Sequence, residues 1–158
     1  MKILLDIDGV MIPARPWRAY EISSDGFGMF SKSSVDCLND IIKSSLNPEI
    51  ILTTSHKNRY GIDDWKNIFS NRGIIKTKIS KLNTESLEIS RIEEIRSWYL
   101  KNQNESFIVI DDDKGLNDLD TNFKEDYLVL TKPTIGLDKI SAEEAVRKIE
   151  YLQKMINH

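Results

Sequence analysis

At 158 residues, with apolar residues at 40% and charged residues at 30%, the chain has the size and balance of one folded unit that buries a core without disulfide or metal staples. Its 22 Lys and Arg against 25 Asp and Glu leave a formal net charge of −3, which excludes a broad electrostatic draw toward nucleic acid or an anionic membrane but leaves room for a local basic patch. A lone Cys37 excludes an internal disulfide, no run approaches the ~18 apolar residues of a membrane span, and Asp6 and Asp8 break the opening run too early for a signal peptide, so the cytoplasm is the expected location.

In chain order, the first predicted strand is KILLDI, residues 2–7, running into DGV. A helix follows at 34–45, with Val35, Leu38, Ile41 and Ile42 on one stripe and Cys37 as a small packed residue. The second strand is EIILTT, 49–54, followed by a weaker helix at 63–70 and a short run GIIK, 73–76, as a candidate fifth strand. In SRIEEIRSWYL, Ser90 and Glu93 make a capping-box pattern, and Ile92, Ile95 and Tyr99 share a face. Two further strands, FIVID at 107–111 and YLVLT at 127–131, precede a last helix in which Ser141 caps and Glu144 returns the bond. Trp65 and Trp98 lie on helical segments and are assigned to the core. The strands are apolar with little alternation, as in a sheet covered on both faces, and their alternation with helices predicts a parallel sheet with helices on each side.

Ligands in such sheets bind at the carboxyl ends of the strands. Those ends read Asp6 and Asp8; Thr53, Thr54 and Ser55; Asp111, Asp112 and Asp113; Thr131 and Lys132. Residues i and i+2 of a strand point the same way, so Asp6 and Asp8 can face one reaction centre if the strand stays extended. One carboxylate then serves as nucleophile and its neighbour as general acid and base. The triple Asp suits a hard divalent cation such as Mg²⁺, and a cation there relieves the repulsion among the acids. A Thr53 hydroxyl can hydrogen-bond a phosphoryl oxygen, and Gly9 lets the chain turn and approach a ligand. The competing reading of each motif alone is structural: acids after strands cap helices or solvate turns.

DIDGV, then ILTT, then a basic residue opening a helix, then VIDDD, resembles the haloacid dehalogenase superfamily of phosphotransferases over nearly the whole chain. DIDGVMIP with TTS and a late KPTIGLD looks most like its small capless members, some of which accompany RNA-repair proteins. The resemblance implies a three-layer α/β/α, Rossmann-like fold with a central, mainly parallel sheet of about five strands, one domain over 1–158, and a flap at 9–33 in place of a cap. It implies that Asp6 attacks phosphorus to form an aspartyl-phosphate and that Asp8 protonates the leaving oxygen and then activates water. Thr53 would bind the phosphoryl group. Mg²⁺ would be held by Asp6, the backbone carbonyl of Asp8 and an acid of 111–113, with Asp112 favoured, Asp111 next and Asp113 last. Members with Thr at the position of Asp8 run as ion-pumping ATPases, so Asp8 implies a phosphatase. The sequence departs at the third motif, where the family usually has Lys. Arg91 is the choice by position, with Lys76, Lys78 and Lys81 as alternatives.

The short spaces after the first and second motifs imply an open site, suited to a nucleic-acid end, a nucleotide or a phosphoprotein. RPWRAY in the flap offers Arg15, Trp17 and Arg18 as cations and a stacking surface, unless Trp17 packs under the flap with its arginines solvated. Gly9, Thr54 and Lys132 join Arg15 and Arg18 as expected substrate contacts, and His56 and Lys57 are placed at the mouth, His56 without partners for a metal. Two rivals remain: a phospho-receiver domain, whose acid pair, Asp and Lys-Pro come in a different order, and a catalytically silent module that kept the fold.

Overall fold

Parallel pairing of β1 (Lys2–Leu5) with both β2 (Glu49–Leu52) and β4 (Phe107–Asp111) puts the first strand at the centre of a sheet. β3 (Lys78–Lys81) adds outside β2, and β5 (Leu128–Leu130) adds outside β4, so the order is β3-β2-β1-β4-β5 with every pair parallel. The computed structural model describes residues 1–83 and 89–157. In register, Leu5 lies between Leu52 and Ile110, so the residues that follow the three central strands emerge together at one edge.

Strand side chains alternate between the two faces, and both faces are apolar here. Ile3, Leu5, Ile50, Leu52, Ile108 and Ile110 pack against α1 (Lys32–Ser44), α2 (Ile62–Asn71) and α5 (Lys139–Ile156). Leu4, Ile51, Val109 and Leu128 pack against α3 (Arg91–Lys101) and α4 (Thr121–Tyr127). This is the three-layer α/β/α arrangement expected, with a five-stranded, all-parallel Rossmann-like sheet. Trp65 is fully buried and Cys37 is buried in the first core, while Trp98 is half-buried against the second.

Several local expectations are corrected. The fifth strand is 78–81, not 73–76. Gly73 has φ +80°, Ile74 N–H donates to Phe69 O at 3.1 Å, and Ile75 N–H donates to Asn39 Oδ1 at 2.9 Å, so that backbone is tied to α2 and α1 instead of a ladder. Ser141 is not the cap of α5. Asp138 is, accepting from Ser141 N–H at 2.9 Å, and Ser141 Oγ accepts from Asp138 N–H at 3.1 Å. The box at Ser90 and Glu93 forms as expected on α3. α4 was not foreseen; it is short and buries only Phe123.

Between β1 and α1, residues 6–31 form a flap with isolated bridges only, such as Ile22 with Gly28. Arg72, just past α2, staples it down. Its Nη1 and Nη2 donate to Asp25 Oδ2 and Oδ1 at 2.6 and 3.0 Å, its Nε to Gly28 O at 2.9 Å, and its Nη2 to Phe27 O at 3.0 Å. The guanidinium also lies 5.7 Å from the Phe27 ring centre and 5.0 Å from that of Phe30.

Candidate active site

The extended backbone of β1 gives way just where its acids begin. Asp6 N–H still donates to Ile110 O at 3.1 Å, but the Ile7 carbonyl then accepts from the N–H groups of Val10, Met11 and Ile12. The chain coils, so the two acids do not meet as strand neighbours. Asp6 is buried, and it joins Asp111 and Asp112 in a trio with one oxygen from each within 4.8 Å of the others. Asp8 stays outside that trio with its side chain 44% exposed, and its Oδ2 lies 2.8 Å from His56 Nε2.

Each member of the acid trio is fixed differently. Asp111 is fully buried, and its Oδ1 accepts from the N–H groups of Asp112 and Asp113 at 2.8 and 3.0 Å. Its Oδ2 lies 3.2 Å from Arg91 Nε, an ion-pair contact without hydrogen-bond alignment. Asp112 sits over Gly9: a Cβ there would come 2.0 Å from Asp112 Oδ2, and Gly9 has φ +77°. Position 9 therefore requires glycine both for its backbone and for the approach of an acid. Asp113 turns away and accepts from Gly115 N–H at 2.8 Å.

Arg91, the first residue of α3, threads between these acids. Its Nη2 is 3.5 Å from Asp6 Oδ1, its Nη1 is 3.1 Å from Glu94 Oε2, and Nη1 donates to the Thr53 carbonyl. Glu94 in turn lies 3.2 Å from Lys57 Nζ. Lys57 is only 6% exposed, so it backs the site and does not line its mouth as expected. Lys78 reaches Glu49 and Lys81 donates to the Tyr60 carbonyl, while Lys76 is exposed.

Burial raises the Asp6 carboxyl to about 8, helped by the charge of Asp111 and opposed by Arg91. Burial raises Asp111 to about 6, with Arg91 and two backbone N–H groups pulling it down. Asp112 is also raised by burial, against its hydrogen bond with Asp6. Burial works against the Arg91 charge, yet Asp111, Asp6 and Glu94 outweigh it and hold that group above its ordinary value.

Thr53 is fully buried and its Oγ1 has no hydrogen-bond partner. Thr54 is buried and its hydroxyl accepts from His56 N–H at 3.2 Å, holding the turn after β2. At the end of β5, Thr131 Oγ1 donates to Gly9 O at 2.7 Å, and Leu137 N–H donates to Val10 O at 2.7 Å. The loop between them leaves Lys132 exposed. Ala14 N–H donates to Pro133 O at 2.7 Å, which ties the flap to this loop. Beyond that tie, Arg15 and Arg18 are exposed, and Trp17 is 74% exposed, so it is not packed under the flap.

The carboxyl edge of the parallel sheet thus gathers two buried acids and a half-buried third, with a threonine and an arginine beside them. Residues 2–142 match the family described as the HAD domain in Swiss Army Knife RNA repair proteins. The chain belongs to this family. No curated protein and no solved structure matches it at a significant level.

In this HAD domain the motif residues were findable by order along the chain, but two contacts were not. His56 and Asp8 are 48 positions apart, and a single histidine after a strand carries no signal of its partner. Lys57 and Glu94 look like surface charges until the helix spacing of Glu94, three after Arg91, is combined with its burial.

Proposed function

We propose that this HAD domain is a phosphomonoesterase that works through an aspartyl-phosphate on Asp6. The observation that carries the reading is the carboxylate trio, with Asp6 and Asp111 buried and Asp112 half-buried, beside the unpartnered Thr53 hydroxyl. Asp6, Asp111, Asp112 and Glu94 carry four formal negative charges against two from Arg91 and Lys57, an excess of two. Oxygen donors and that excess fit one Mg²⁺, held by the Asp6 and Asp112 carboxylates and the Asp8 carbonyl. Asp111 supports them, since its Oδ1 is taken by backbone and its Oδ2 faces Arg91. When bound, the ion neutralises the acids and the charge on the phosphoryl oxygens.

Asp6 attacks phosphorus as the bond to the leaving oxygen breaks. Asp8 gives that oxygen a proton, then takes one from the water that hydrolyses the aspartyl-phosphate. Thr53 Oγ donates to a phosphoryl oxygen, and Arg91 orients Asp6 while offsetting charge. Exposed Arg15, Trp17, Arg18 and Lys132 favour a large or exposed phosphate such as a nucleic-acid end or nucleotide. The test is hydrolysis of 4-nitrophenyl phosphate with Mg²⁺ and with EDTA. Activity should require Mg²⁺ and fall to background in Asp6→Asn. Retained activity in that variant would refute the nucleophile.

A further inference from the structure

We propose that His56 is a positioning residue for Asp8, seated in turn by Phe27 of the flap; the inference rests on the phosphomonoesterase reading. His56 Nε2 lies 2.8 Å from Asp8 Oδ2, and in the tautomer with its hydrogen on Nε2 it donates to that oxygen. That leaves Oδ1 as the oxygen to carry the transferred proton. The fold does not need the contact. Asp8 is 44% exposed, and its backbone is already held by the bridge to Ile12. An exposed aspartate without an anchor samples several rotamers, and a carboxylate that must deliver a proton to one oxygen loses rate when it does.

His56 itself is held at both ends. Its N–H donates to Thr54 Oγ1 at 3.2 Å and its carbonyl accepts from Arg59 N–H at 2.9 Å. Its ring stands edge-on to Phe27, at 5.6 Å between centres and 82° between planes. Phe27 is buried, edge-on to Tyr60 and Trp65 as well, and pinned by Arg72 through its carbonyl and its ring. The flap therefore builds the seat of the proton-transferring carboxylate.

The consequence is specific to the leaving group. As the P–O bond breaks, an alkoxide needs the Asp8 proton, whereas 4-nitrophenolate departs with little help. The value of kcat/KM reports this first transfer alone and is blind to the later hydrolysis of the aspartyl-phosphate. The experiment compares kcat/KM for glycerol 2-phosphate and 4-nitrophenyl phosphate, with Mg²⁺, in the wild type, His56→Ala, His56→Gln and Phe27→Leu. Circular dichroism checks each fold. In His56→Ala the loss on the alkyl ester should exceed the loss on the aryl ester by tenfold or more, within the ~10²–10⁴-fold a general acid supplies. His56→Gln, whose amide can still donate, should recover part of that difference, and Phe27→Leu should show it in weaker form. Equal losses on the two esters, or none, would overturn the positioning role. A wild type inactive on both esters would overturn the phosphomonoesterase reading and this inference with it.

Discussion

Replacing Arg72 with methionine keeps the stem of the side chain and removes all of its donors. The guanidinium is 3% exposed and makes five hydrogen bonds: two to Asp25 and one each to Gly28, Phe27 and Ile68 carbonyls. Removing one partner of a buried ion pair costs about 3–5 kcal/mol, and the lower end applies because Asp25 is partly exposed and can regain water. Each carbonyl left without its donor adds about 0.5–1.5 kcal/mol, partly recovered by solvent, so about 4 kcal/mol is expected in all. For a chain of this size that lowers Tm by about 8–16 °C. Arg72→Lys should lose about half as much, since an ammonium cannot fork across both carboxylate oxygens. The Arg72 hydrogen bonds hold the Asp25 carboxyl well below the usual range. A depressed folded-state value gives stability that is full above the unfolded value, about 4, and is lost as pH falls below it. The Tm gap between wild type and Arg72→Met, followed by circular dichroism, should therefore be widest above pH 5 and shrink toward pH 2. A gap under about 2 °C at neutral pH, or one that does not shrink in acid, would refute the staple.

Four further outcomes are expected. Gly9→Ala forces a positive φ on a side chain and drives its Cβ into Asp112, so it should lose about 1–3 kcal/mol of stability and most Mg²⁺ affinity, measured by calorimetry. In metal-free protein the raised Asp6 carboxyl favours the native state below about pH 4, and that favour is lost as pH rises toward 8; Asp6→Asn should flatten this part of the Tm-against-pH curve. Lys57→Met alone should destabilise by about 3–5 kcal/mol, while Lys57→Met with Glu94→Leu should recover most of that in urea unfolding yet keep a lowered kcat, because Arg91 has lost an anchor. Trp17→Ala should leave Tm within about 1 °C but weaken oligonucleotide-end binding by the ~1–3 kcal/mol of one stacked base, read as KM.

The strands were legible where both faces are buried, because KILL, EIIL and FIVID carry their one charged residue at an end and are otherwise unbroken apolar runs. The edge was not. KISK needs only Ile79 in the core, while the isoleucines of GIIK donate their N–H groups to α2 and α1. At the site, the acids and Thr53 were legible because the topology of parallel sheets collects strand ends. Arg91 was found by its place at the start of a helix, but its three acidic partners depend on how α3 lies on the sheet. The place of Asp8 outside the acid trio was not legible, since a period of two says nothing about where extended backbone stops.

The central place of β1 also sets an order in time. Its two neighbours are supplied only from residue 49 and from residue 107, and the β5 loop that clasps Gly9 comes later still. Before those residues leave the ribosome, Asp6 is an ordinary hydrated carboxylate on a strand with both edges open. Only when β4 docks do Asp111 and Asp112 arrive and drive water from it. The acid trio and the clasp on Gly9 are thus completed only after residues 107–131 have joined the sheet.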